Sequence, residues 1–324
     1  MLSRHHILSN PRASASILLA VTALTLVLLW STLYGDLQSF QTLVAFRRPY
    51  VSTADRIDRS ELLYEGTVKQ RWHMIDKYGP KVTDIASFPD PETGYPYTLW
   101  DFFHSSFNCP HSVRRIGVPD DGGKWVCGVE RLVEQHHSCV VYSFGVNNES
   151  SFEPELLSEL PHCQLYGYDF NVSSFGPEIE TNFSLASRSH FFPYALGNTT
   201  NTNEHPPTYT LTALMKANDH TFIDLLKIDI EGAEFESLAE MIQSSSSVLP
   251  FGQLQLEIHA LNSEYAKFPK FLEWWESPEK AGLRPFWTET NLGHVNLDRS
   301  ALPDVTEYSF INIKGRHALI MDDY

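Results

Sequence analysis

Seven short apolar runs separated by helical patterning constrain this chain more than any other feature. They are Val140–Phe144, Leu165–Tyr168, His190–Tyr194, Asp224–Asp229, Gln253–Ile258, Arg284–Trp287 and Glu307–Ile313. Strands that alternate with helices build a mostly parallel sheet with right-handed crossovers, so the expected class is α/β, doubly wound. Ligands in such sheets sit beyond the carboxyl ends of the strands. A chain of 324 residues with 42% hydrophobic content has ample apolar surface for such a core. There is no internal repeat, and Ser244–Ser247 is the one low-complexity patch.

Four groups of residues fall where a site belongs. The first run passes into Gly145, Val146 and Asn147, a turn that lets a ligand approach the backbone and offers amide donors. A plain turn explains Gly145 equally simply. Asp169 ends the second run 24 residues after Gly145. That is the length of one strand–helix–strand unit, and an acid there accepts hydrogen bonds from ribose hydroxyls or caps a helix. Together the two describe an adenosine site, whether for a dinucleotide or for S-adenosylmethionine.

The third group is Leu225-Leu226-Lys227-Ile228-Asp229-Ile230-Glu231-Gly232-Ala233-Glu234. A buried strand delivers Asp229 and Glu231 to its carboxyl end, Gly232 permits the turn, and Glu234 suits the first turn of the next helix. The fourth is Leu256-Glu257-Ile258-His259, where alternation sends Glu257 and His259 to one side. His259 there serves either as a general base or as the partner of an acid such as Asp229. A metal held by Asp229, Glu257 and His259 is chemically permitted, but nothing in the spacing demands one, so no metal is expected. The candidate catalytic set is Asp229, Glu231 and His259; the candidate cofactor-binding set is Gly145, Asn147, Asp169 and Asp229.

Charge and cysteine usage narrow the partners. The formal net charge is −16, from 40 acids against 24 Lys and Arg, which argues against nucleic acid, since that affinity rests on basic side chains. Four cysteines are compatible with two disulfides. Residues 16–34 carry no charge and are long enough for a membrane-crossing helix, with Trp30 and Tyr34 as interfacial anchors; a cleavable signal peptide is the alternative, for which Trp30, Leu33 and Tyr34 are poor small-residue positions. The expected arrangement is a cytoplasmic tail 1–15, an uncleaved signal-anchor 16–34, a stem 35–95 holding one helix over Ser60–Tyr78, and a main domain 96–324. Acceptor sequons at Asn148, Asn171, Asn182 and Asn198 agree with a lumenal domain in the Golgi or endoplasmic reticulum. Asn148 lies in the presumptive ligand loop and is the least suited of them to carry a glycan. Oligomeric state is not readable.

In this order the residues resemble the FkbM-related methyltransferase-like proteins, especially a membrane-anchored subgroup that shares an Asp-Gly-Gly-Lys-Trp-Val-Cys element. Here that element is Asp121-Gly122-Gly123-Lys124-Trp125-Val126-Cys127, and the similarity runs from about Phe107 to Ile313. The string Lys227 to Glu234 is its most specific part. The resemblance implies a class I, Rossmann-like methyltransferase with S-adenosylmethionine as donor and an oxygen acceptor such as a glycan or small molecule. It places Gly145 at the methionine end of the donor, Asp169 at the ribose, and Asp229 with Glu231 at the sulfonium and acceptor. The chain departs from better known class I enzymes in having Gly145-Val146-Asn147-Asn148 where they carry a Gly-rich loop. In this arrangement Cys139 and Cys163 each precede a strand-end residue by six positions, so they sit level on adjacent strands and are expected to pair, leaving Cys109 to Cys127. Lys124 is expected near a carboxylate, with Trp125 as a wall over the donor or Gly122-Gly123 as a simple hairpin turn. Two other functions remain open: a lumenal type II glycosyltransferase with Asp229 and Glu231 as its acidic metal motif, and an inactive methyltransferase fold kept for interactions.

Overall fold

The computed structural model describes residues 22–26, 29–30, 51–119, 122–147, 151–245, 247–261, 264–298 and 301–324. Eleven strands are present among them: β1 (Val113–Ile116), β2 (Lys124–Cys127), β3 (Cys139–Phe144), β4 (Cys163–Tyr168), β5 (Ser189–Phe192), β6 (Ala195–Leu196), β7 (Thr208–Tyr209), β8 (Ile223–Ile228), β9 (Phe251–His259), β10 (Leu283–Thr290) and β11 (Val305–Asn312). The main sheet runs β10-β11-β9-β8-β3-β4-β5, with β11 antiparallel to both neighbours and the β9-β8-β3-β4-β5 pairs parallel. All seven apolar runs read from the sequence are strands of this sheet. The chain leaves β3 for β4 on one side and returns to β8 on the other, so the crevice between β3 and β8 is the topological switch point. This is the class I Rossmann-like arrangement.

Helices flank the sheet: α1 (Thr53–Tyr78), α2 (Val129–Glu134), α3 (Phe152–Glu159), α4 (Pro177–Glu180), α5 (Phe183–Ala186), α6 (Leu211–Ala217), α7 (Glu234–Ser244), α8 (Phe268–Ala281) and α9 (Leu292–Leu297). Strand alternation divides the core into two clusters. Tyr142, Phe144, Leu226, Ile228, Leu254 and Leu256 pack with Phe235, Leu238 and Trp275, whereas Val141, Leu165 and Leu225 pack with Leu132, Leu156 and Leu157.

α1 begins at Thr53, earlier than the apolar periodicity suggests, because its first two turns are charged and are fixed by polar bonds. Ser52 caps it by accepting from the Asp55 amide, Asp322 accepts from the Thr53 amide, and Arg56 donates to Pro110 O. Its end at Gly79 is where the sequence placed it. Ser52–Tyr324 forms one compact unit, which runs without a break across residues 95–96. Arg71 of α1 is buried, donating to Glu279 of α8 at 2.6 and 3.0 Å and to Phe102 O at 2.9 Å.

The hairpin β1–β2, which the sequence left as one of two options for the Gly122-Gly123 element, lies across β9 and β11. Side chains rather than apolar packing satisfy its backbone: Gln253 bonds both the Cys127 amide and carbonyl, and Gln255 and Ser309 donate to Trp125 O. Both expected disulfides are present, Cys139–Cys163 across the β3–β4 register and Cys109–Cys127.

The expected membrane-crossing helix over residues 16–34 falls largely outside the described residues. Of that stretch, 22–26 and 29–30 are helical, and among the described residues no helix is long and apolar enough to cross a membrane. The Asn148 sequon also lies outside the described residues.

Candidate functional site

Three strand ends meet at the switch point. Gly145 follows β3 at φ +76°, where a Cβ would stand 1.8 Å from Asp229 O, so only glycine fits. Its amide donates to Tyr168 O at 3.0 Å, and the Asp229 amide donates to Phe144 O at 3.1 Å. Beneath the turn, Lys227 donates to Gly145 O at 2.6 Å and lies 3.5 Å from Glu153, which accepts from Ser143. A buried cation thus fixes the carbonyl of a residue that must stay bare.

Asp169 at the end of β4 ties two loops together, accepting from the Asn147 amide at 2.8 Å and the Asn171 amide at 2.7 Å. The helix-capping alternative for Asp169 does not hold, because the next helix, α4, is capped at Gly176. A carboxylate has about four acceptor positions, so roughly two on Asp169 remain for a ligand.

After β8 the backbone turns sharply, with Glu231 at φ +55° and Gly232 at φ +105°. Glu234, fully buried at the start of α7, accepts from the Gly232 amide and the His259 amide, both at 2.7 Å. It ties the turn to the start of the helix and also joins β8 to β9. His259 is buried, with Nε2 3.4 Å from Glu231 and 4.0 Å from Asp229, and Nδ1 3.4 Å from Glu234. Asp229, Glu231 and His259 are therefore brought together as expected.

Lys124, at the start of β2 and 3% exposed, reaches over the sheet to three carboxylates. It lies 4.0 Å from Asp229 and 3.9 Å from Glu257, and bonds Glu307 directly. Glu257 lies 3.9 Å from Lys124, accepts from Asn291 at 3.2 Å and adjoins Asp229.

The electrostatics follow from this crowding. Burial, with Glu307 and Asp229 nearby, pushes the Glu257 carboxyl up to about 9. Burial opposes a charged His259, but Glu234, Glu257 and Asp229 outweigh it and push the imidazole up to about 9. For Asp229, burial disfavours the charge, yet Lys227, Lys124 and His259 prevail and hold its carboxyl below the usual range. His259 consequently carries a proton near neutral pH, which argues against its expected use as a free base.

Lys227, Glu153, Glu307 and Asn291 also belong to this neighbourhood; all four fall within the stretch that resembles the family, and Lys227 within its most specific string, but the sequence assigned none of them a place in the site. The available signal was a charged side chain breaking an apolar strand, at Lys227 in β8 and Glu307 in β11.

A family-wide sequence profile described as "Methyltransferase domain" matches residues 64–311. No curated protein matches the chain. Among solved structures, the Methanococcus jannaschii fibrillarin pre-rRNA processing protein is 12% identical, with 62% of this chain and 71% of that chain covered and a TM-score of 0.32. A putative rRNA methylase from Clostridium thermocellum is 10% identical over 56% and 89%, with a TM-score of 0.32. An O-methyltransferase family protein from Burkholderia thailandensis is 11% identical over 58% and 56%, with a TM-score of 0.31. The profile spans most of the chain, and with it the chain belongs to the methyltransferase-domain family, as an enzyme that uses S-adenosylmethionine.

Proposed function

We propose that the enzyme methylates a hydroxyl oxygen, on a glycan or another small acceptor, in the lumen of the secretory pathway. The observation that carries the reading is the meeting of Gly145, Asp169 and Asp229 at one crevice, with a backbone bare at Gly145 and acceptor capacity left on Asp169. These residues fit the donor: Gly145 and Asn147 would border its methionine end, Asp169 its ribose, and Asp229 with Glu231 the sulfonium and acceptor side. The donor, when bound, supplies an electrophilic methyl group on a sulfonium. The residues then align the acceptor oxygen and receive its proton. Of the two candidate bases, Asp229 is the better placed, since it stays ionised while His259 is already protonated. His259 holds the carboxylates in position.

The similarity to FkbM-related proteins supports an oxygen acceptor. Two disulfides support an oxidising compartment. The uncharged stretch 16–34 supports a single-pass anchor with the domain lumenal.

Calorimetry on the full chain is expected to show S-adenosylmethionine binding, and tritiated donor should label a hydroxyl acceptor. Asp229→Asn should lower kcat/KM by roughly 100-fold or more, the usual scale for a lost general base. Binding of a nucleotide sugar with Mn²⁺, and none of S-adenosylmethionine, would sink this reading in favour of glycosyl transfer. Full turnover by Asp229→Asn would remove Asp229 from its role.

A further inference from the structure

Three side chains at the carboxyl end of the sheet converge without bonding one another. Asp229 Oδ1 lies 4.0 Å and Glu231 Oε2 3.4 Å from His259 Nε2, and one donor atom from each of the three lies within 4.8 Å of the others. Donor atoms that share one ion at about 2.0–2.2 Å stand within about 4.4 Å of each other. A small inward swing of Glu231, whose side chain is 82% exposed, closes the difference.

The imidazole supplies the second indication. His259 is 6% exposed, and its Nδ1 has no hydrogen-bond partner although Glu234 Oε1 is 3.4 Å away. A metal would displace the Nε2 proton, and with the remaining proton on Nδ1 facing Glu234 the Nε2 lone pair would point to the space between the two carboxylates. A carboxylate behind the ring and a metal in front is the usual way an imidazole is held for coordination.

Charge favours a cation here as well. Lys124 turns to Asp229 Oδ2, Glu257 and Glu307, which leaves Oδ1 to the cluster. Lys227 is taken up by Gly145 O and Glu153. Neither ammonium is placed against Glu231 or Glu234, whose adjacent positive charge is the His259 imidazolium that a bound cation would replace.

We propose that Asp229, Glu231 and His259 bind a divalent cation of the Mn²⁺ kind, with Glu234 as the positioning residue behind His259. Two carboxylates and one imidazole suit such an ion, and three protein ligands leave coordination positions on the solvent side. Those positions take water or an acceptor oxygen. This last use rests on the methyl-transfer reading, whereas the metal site does not.

The full chain, stripped with EDTA, is titrated with Mn²⁺ and followed by electron paramagnetic resonance and calorimetry. The expected result is saturable binding of one ion per chain. Glu231→Gln, which alters an exposed side chain and spares the fold, and His259→Gln each weaken it at least about ten-fold, and Glu234→Gln weakens it roughly 10–100-fold. Glu178→Gln, an exposed acid on α4, leaves it unchanged. Absence of saturable binding, or binding undiminished in both Glu231→Gln and His259→Gln, overturns the site. Donor calorimetry is run on the EDTA-stripped protein in parallel. Donor binding without Mn²⁺ binding removes the metal site alone, and Mn²⁺ binding without donor binding removes the methyl-transfer reading alone.

Discussion

His259 and Glu257 hold protons in the fold that they release in the unfolded chain, which ties stability to pH. For His259 the folded value near 9 lies above its ordinary 6.5, so its stabilisation is complete below 6.5 and is lost as pH rises through about 9. Glu257 shifts the same way for a different reason. Burial keeps the acid neutral up to about 9 against an ordinary 4.5, so the native state binds more protons across that interval and loses stability as pH rises. Asp229 acts oppositely, and its contribution is lost on acidification below the ordinary carboxylate range. In EDTA-treated protein the thermal midpoint is therefore expected to fall from pH 6.5 to 9. His259→Gln and Glu257→Gln should each flatten that slope, and an unchanged slope in both variants would contradict the assignment. At this scale the sequence located Asp229, Glu231 and His259, because Asp229 follows one buried strand, Glu231 lies in the turn after it, and His259 ends another. It expected Lys124 near a carboxylate without saying which, and did not reveal Glu307, since β2 and β11 reach the site only through the crossing hairpin and the sheet order.

Among the elements, α1 behaves as part of the domain more than as a stem. Glu279 receives Arg71, Tyr64 and Trp275 together, so removing Arg71 leaves a largely buried carboxylate short of its only cation among these partners. Arg71→Ala is expected to cost about 3–5 kcal/mol in urea denaturation, the scale for breaking a buried pair. The strand-to-strand disulfide Cys139–Cys163 closes a span of 24 residues, and loop-closure entropy gives it about 3 kcal/mol. The double variant Cys139→Ala/Cys163→Ala should unfold at correspondingly lower denaturant; an unchanged midpoint would show that the bridge does not restrain the unfolded chain. The level placement of these two cysteines was legible because parallel strands that end together also start together. The start of α1 was not, since its charged first turns lack apolar period and are held by the distant Asp322 and Pro110.

For the whole molecule, the proposed lumenal location makes a direct prediction. Asn171, Asn182 and Asn198 are exposed, so the full chain made in secretory cells should lose mass on treatment with N-glycosidase, in steps removed by Asn→Gln at these sites. An unshifted band would place the domain elsewhere. The sequence by itself determined the doubly wound class, the strand ends that face the crevice and the cysteine pairing, because these depend on periodicity of 2 and 3.6 and on positions counted along single strands. Tertiary structure alone decided that Lys124 from a crossing hairpin lies among Asp229, Glu257 and Glu307, and that Glu234 backs His259. Those relations join residues far apart in the chain, and the balance of burial against charge that sets their protonation exists only once the elements are packed.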